Sequence, residues 1–89
     1  MYYVYILQSI KDRKIYTGFS SDLRQRLQTH NQGKVASTKK RRPFKLVYYE
    51  AYLSKQDAMQ REFDLKHQTE QRNFLKNQIK NSLSSLPPS

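Results

Sequence analysis

Eighty-nine residues bound the chain to one domain, with a core large enough to fold alone but not a large one. Seventeen Lys and Arg against seven acidic residues leave a net charge of +10, a field that attracts DNA, RNA or anionic lipid. The absence of cysteine excludes disulfides and thiolate zinc sites. No stretch approaches the roughly 20 apolar residues of a membrane span, and the start lacks the pattern of a signal peptide. A soluble, cytoplasmic protein is the expectation. Hydrophobic content of 36% is low, yet seven Tyr and four Phe in regular patterns argue for a folded core. No helix combines a wide apolar face with a basic one, so nucleic acid is favoured over a membrane surface.

Tyr2 to Gln8 is short, aromatic and β-branched, and polar turn residues follow it. It reads as a first strand. Ser9 to Lys14 makes the turn, and Ile15 to Phe19 returns as a second, antiparallel strand. An even-numbered loop puts Tyr5 and Tyr16 on the same sheet face, opposite or diagonal, whereas an odd loop or a bulge would separate them. Two tyrosines so placed are, by themselves, ordinary packing.

A helix follows, with Ser21 as its expected N-cap, Asp22 where the helix dipole favours an anion, and Gly33 to close its far end. Asp22, Arg26 and His30 recur every four residues and share a face. Leu23 and Leu27 lie about 100° round, on the buried side. Arg26 and His30 are therefore expected at the rim of the core, directed toward the strand end that carries Tyr16. A phenol, a guanidinium and an imidazole beside a glycine turn suit the handling of a phosphate ester.

Gln32 to Pro43 is a loop by composition. Its Lys39-Lys40-Arg41-Arg42 run repels itself and gains most when a phosphate backbone neutralises it; the alternative is a solvated loop tip. Phe44 to Tyr52 reads as a third strand, apolar enough to be placed centrally. Ser54 caps a second helix with Asp57 at its N3 position. On that helix Ala58, Glu62 and Leu65 share a face, which puts a carboxylate on an apolar stripe. Such a group needs a basic partner or a metal ion. A third helix starts near Thr69 with Phe74, Leu75, Ile79 and Leu83 inward. The domain is drawn over residues 1–83, and 84–89 is read as a frayed tail.

Tyr3-Val4-Tyr5 and Tyr16-Thr17-Gly18 resemble the two signature tripeptides of the GIY-YIG endonuclease superfamily. Tyr5 and Tyr16 are eleven positions apart, and Asp22-Leu23, Arg26, His30-Asn31 and Glu62 follow in the family's order. The similarity covers nearly the whole chain. It is closest in kind to small single-domain bacterial members related to the nuclease module of the excision-repair incision subunit. Tyr3 stands where the first tripeptide has glycine and Thr17 where the second has an aliphatic residue; neither change removes a chemical group.

The resemblance implies an α+β fold: a three-stranded antiparallel sheet flanked by helices, in the order β-β-α-β-α-α. It implies that Tyr16 helps activate the attacking water with Tyr5 as its neighbour, that Arg26 holds the scissile phosphate, and that His30 orients the nucleophile. Glu62 would be the ligand of one divalent cation, Mg2+ with Mn2+ as a substitute. An asparagine of the last helical region, Asn77 or in its place Asn81, would join Lys39, Lys40, Arg41 and Arg42 in contacting nucleic acid. The chemistry is coherent: a hard cation held by one carboxylate keeps most of its waters, and arginine offers a planar fork to phosphate. A tyrosine of pKa about 10 is a poor base at neutral pH, and nearby cations would favour its phenolate. The implied activity is metal-dependent hydrolysis of phosphodiester bonds, on DNA rather than RNA, with little sequence specificity and by a monomer. The rivals are a catalytically silent nucleic-acid-binding module of the same fold, and a basic interaction protein of a ribosome or repair complex. The latter would not need Tyr16, Arg26 and Glu62 together.

Overall fold

The first strand, β1 (Tyr2–Ser9), is apolar on both faces, and the sheet is built around it. β2 (Ile15–Ser20) pairs with it antiparallel, from Tyr3 opposite Ser20 to Gln8 opposite Ile15, which leaves an even loop from Ser9 to Lys14. β3 (Phe44–Tyr52) pairs antiparallel along the other side of β1, and the order across the sheet is β2-β1-β3. The expectation that β3 lies centrally is therefore corrected. Lys45, Tyr49 and Ala51 on β3 are exposed, whereas Val4 to Ser9 are all buried; a strand covered on both faces takes the middle. A computed structural model describes residues 1–84 of the chain, so residues 85–89 of the expected tail lie outside the described residues.

Helices cover both faces. α1 (Leu23–Asn31) lies over a cluster of Tyr5, Leu7 and Phe44, with Tyr16, Leu23, Leu27 and Leu46 packed against it. α2 (Lys55–His67) and α3 (Thr69–Gln78) cover the other side, where Val4, Ile6, Ala58, Leu65, Leu75 and Ile79 form the larger core. A short α4 (Lys80–Leu83) ends the described chain. The order is the expected α+β arrangement, β-β-α-β-α-α, with this last turn added.

Local signals explain most of the boundaries. Ser54 accepts from the Asp57 amide and starts α2. Gly33 adopts φ +77° just beyond α1, and its amide bonds the His30 carbonyl, as a left-handed helix terminator does. The α1 cap is Asp22 rather than Ser21. Ser20 exchanges hydrogen bonds with the Asp22 backbone and holds the turn, so Asp22 becomes the extended residue whose carboxylate accepts from the Gln25 amide at 3.1 Å. Phe74, expected inside, is 72% exposed. Leu75 and Ile79, four apart, take the inner positions, and Phe74 lies about 100° round from Leu75.

Candidate active site

The site begins with a steric permission. Tyr5 pairs with Gly18 across the hairpin, and a Cβ at Gly18 would run into the Tyr5 ring and hydroxyl. Only glycine lets this ring lie flat across the neighbouring strand. Tyr16 stands opposite Leu7, so the two tyrosines are diagonal neighbours on one face, as the even loop requires.

Onto that face α1 brings His30, which is fully buried rather than at the rim of the core. Its Nε2 lies 2.9 Å from the Tyr5 hydroxyl and its Nδ1 lies 2.9 Å from the Thr38 hydroxyl. Thr38 directs its one hydroxyl hydrogen to the Val35 carbonyl. With that hydrogen bond, 3.4 Å long, the consistent tautomer has Nδ1 donate to Thr38 and Nε2 accept from the Tyr5 O–H, an assignment made from the hydrogen bonds. Burial holds the His30 pKa at about 4, and the Arg26 guanidinium adds to the effect, so the ring is neutral at pH 7. Burial also raises the Tyr5 pKa; Arg26 opposes this, while the Tyr16 phenol and the Glu62 carboxylate reinforce it. Tyr5 is thus held as a phenol and a hydrogen-bond donor.

Tyr16 meets the same imidazole edge-on, with ring centroids 5.0 Å apart, but its hydroxyl is not tied to His30. Arg26 stands beside Tyr5, and its Nε is buried without a hydrogen-bond partner among the described residues. α2 completes the group. Lys66 Nζ sits 5.7 Å from the centre of the Tyr16 ring and 3.2 Å from Glu62, one turn earlier on the helix. The Glu62 side chain is 24% exposed. Of the two solutions open to a carboxylate on an apolar stripe, the structure supplies a basic partner. The pair is partly exposed, and ion pairs open to water contribute little.

Tyr5, Tyr16, Arg26, His30 and Glu62 are accordingly brought together from β1, β2, α1 and α2. No three of His, Cys, Asp or Glu converge to hold a metal among the described residues. Glu62 is the one carboxylate of this group, and a single carboxylate suits only a cation that takes its other ligands from water or substrate.

The basic run is divided by the fold. Lys39 and Lys40 are exposed on a 3-10 turn, Lys39–Arg41. Arg41 is a clasp: its guanidinium bonds Asp12 at 2.8 Å, reaches the Ile15 carbonyl and covers the Phe44 ring. Arg41 holds the Asp12 carboxyl at a pKa of about 2. Arg42 folds back onto the Lys39 carbonyl. Asn77 is exposed on α3, the helix packed on the far side of the sheet from His30. Sequence reading missed Thr38 and Lys66. The first looks like any loop threonine until the chain folds it under His30. The second was legible in principle, since Glu62 and Lys66 stand at the i,i+4 spacing of a helical ion pair.

Comparison with known proteins agrees with this fold. The GIY-YIG catalytic domain matches residues 1–77. The UPF0213 protein of Staphylococcus haemolyticus is 48% identical over 66 residues, 73% of this chain and 79% of that protein. A UPF0213 protein of Streptococcus agalactiae is 47% identical over 70 residues, 78% of each chain. The solution NMR structure of the UPF0213 protein BH0048 of Bacillus halodurans superposes with a TM-score of 0.56 at 34% identity, covering 96% of this chain and 95% of that one. With a hairpin that seats Tyr5 over Gly18 and sets Tyr16 beside it, the chain belongs to the GIY-YIG catalytic-domain family, among its small UPF0213 members.

Proposed function

We propose that this protein is a metal-dependent endonuclease that hydrolyses phosphodiester bonds, on DNA in preference to RNA, with little sequence specificity. The observation that carries this reading is Arg26, whose guanidinium hydrogen-bonds the Tyr5 hydroxyl while its buried Nε has no partner among the described residues. Leaving such a donor unsatisfied costs about 1–3 kcal/mol, and a phosphoryl oxygen would satisfy it. The planar fork matches the non-bridging oxygens, on which charge grows as the bond breaks.

The remaining residues divide the work. Tyr5 donates to neutral His30 and has its pKa raised by burial, so it braces the site rather than acting as base. Tyr16, with its hydroxyl unengaged by His30, orients the attacking water. Water adds to phosphorus as the bond to the departing sugar oxygen breaks, giving a phosphomonoester end and a free hydroxyl end. Glu62 would exchange Lys66 for Mg2+ or Mn2+, which would supply Lewis-acid stabilisation of phosphoryl charge. Lys66, released, stays within reach of the substrate's negative charge. Exposed Lys39 and Lys40 supply backbone attraction without base readout.

The test is purified wild type, Tyr16→Phe and Glu62→Gln on plasmid, branched DNA and RNA, with Mg2+ or Mn2+ and with chelator. Tyr16→Phe should slow cleavage by about 100-fold or more while its melting temperature stays near wild type. Glu62→Gln should lose metal-dependent nicking yet retain metal-free binding. Cleavage that persists equally in both variants would sink the assignment. Binding without cleavage by any form on any substrate would establish the silent binding module instead.

A further inference from the structure

A second basic feature lies away from the tyrosine cluster. Gln8 and Ile15 close the hairpin, and beyond them a cleft of about 390 Å³ opens against α3 and α4. Ile15 belongs to the α2/α3 side of the sheet, opposite to the face that seats Tyr5, Tyr16 and His30. Arg13 and Lys14 line the cleft from the turn, and Arg72 and Lys76, one helical turn apart, line it from α3. No acidic residue among the described ones lines it. Arg72 spends one donor on the Lys66 carbonyl, which anchors its side chain and leaves the rest of the fork. Lys14, Arg72 and Lys76 gather like charge about one space, and an anion between them relieves that repulsion.

The cleft asks for more than an anion. Gln8 is 5% exposed, and its amide nitrogen donates to the Arg13 carbonyl at 2.9 Å. Its Oε1 is buried with no hydrogen-bond partner among the described residues, so a ligand that reaches it would match it with a donor. Ile15 and Leu83 add an aliphatic wall, which favours a ring. A nucleotide unit has all three parts: a phosphate for the cations, a ring N–H or hydroxyl for Gln8, and a flat base for the wall. The volume lies within the roughly 300–1,000 Å³ of small-ligand sites.

We infer that this cleft holds one unpaired nucleotide of a nucleic-acid strand, through its phosphate and its base. The inference rests on the proposed nucleic-acid substrate and sharpens it, because a base can enter a pocket only where it is unstacked and unpaired. Branched or single-stranded substrates would then be favoured over an intact duplex.

The test is an amide NMR titration of the Tyr16→Phe chain, which would leave the strand uncut. The probes are inorganic phosphate, deoxythymidine 5′-monophosphate and a short single-stranded 5′-phosphorylated oligothymidylate. The last two should shift the amides of Gln8, Arg13, Lys14, Arg72 and Lys76, and inorganic phosphate should bind more weakly than either. Arg72→Gln combined with Lys76→Ala, both on the outside of α3, should weaken oligonucleotide binding on the order of tenfold. The same pair should lower its salt slope by roughly 1 per lost contact. Gln8→Met should weaken the monophosphate while leaving inorganic phosphate unchanged. Equal affinity for phosphate and the monophosphate would overturn the inference, as would binding of the monophosphate without the oligonucleotide, or shifts confined to Tyr16, His30 and the Lys39 turn. A chain that cuts no substrate yet keeps the cleft shifts would sink the nuclease reading alone; normal cutting without cleft shifts would sink this inference alone.

Discussion

Arg26 and Arg61 stand on helices that cover opposite faces of one sheet, and their surroundings treat them in opposite ways. Arg61 spends its fork on Glu50, with Nε and Nη2 each 3.0 Å from a carboxylate oxygen, and gives Nη1 to Gln71. Glu50 also accepts from Tyr48 and Tyr52 at 2.6 Å each. Burial opposes ionisation of Glu50, but these donors outweigh it and leave the carboxyl pKa below its ordinary value. Burial and the Glu50 contact push the two phenols up to about 12. Every member of that network is matched. Arg26, by contrast, keeps a buried nitrogen unmatched. Of two half-buried guanidiniums on one scaffold, one is closed into a network that holds the fold, whereas the other touches Tyr5 and keeps Nε free for the phosphate proposed above.

Removing each arginine in turn separates the two roles. Arg26→Ala should cut cleavage by about 100-fold or more and change the melting temperature little, since the loss of its Tyr5 contact is offset by deletion of an unsatisfied donor. Arg61→Met should do the reverse. It leaves Glu50 without its cation and should cost about 2–3 kcal/mol, while the rate per folded molecule stays near wild type. Chemical denaturation and single-turnover cleavage of both variants would read the two effects; equal destabilisation by the two changes would erase the distinction.

A pH series probes the same side of the sheet less severely. His30 is held neutral with a pKa of about 4 against an ordinary 6.5. Below pH 6.5 the unfolded chain takes up a proton that the folded chain refuses. Stability should therefore fall as the pH drops from about 6.5 to about 4, by at most about 1.4 kcal/mol per unit from this group. In His30→Gln that part of the slope should vanish, while the acid sensitivity due to carboxylates remains. Parallel slopes in the two proteins would show that His30 protonates without disturbing the Tyr5 bond. The smallest expected effect lies outside both networks. Lys39→Ala with Lys40→Ala should lower nucleic-acid affinity a few-fold for all sequences and reduce the salt slope by roughly 2, measured by fluorescence anisotropy at several salt concentrations.

Much of this was legible before folding. Alternation and an even turn put Tyr5 and Tyr16 on one face, as the pairing shows. Four-residue spacing put Arg26 and His30 on one side of α1. The less legible features depend on partners distant in sequence. Thr38 is indistinguishable from its loop neighbours until it lies under His30, and Arg41 reads as one of four equivalent cations until Asp12, 29 residues away, claims it. The apolar density of β3 suggests a central strand, whereas position in a sheet depends on whether both faces are covered, as they are for β1.

What the sequence determined by itself was local: strand and helix periods, the Ser54 cap, the Gly33 terminator, and a charge that selects polyanions. These follow from backbone geometry and from interactions within a few residues. Only the tertiary structure decided which groups became buried and which of them found partners. Whether Tyr5 rests over Gly18, His30 stays neutral, and Arg61 is matched while Arg26 Nε is left open depends on contacts across 11 to 25 positions of chain or on desolvation. Desolvation acts on a group only once the remainder of the chain has closed around it.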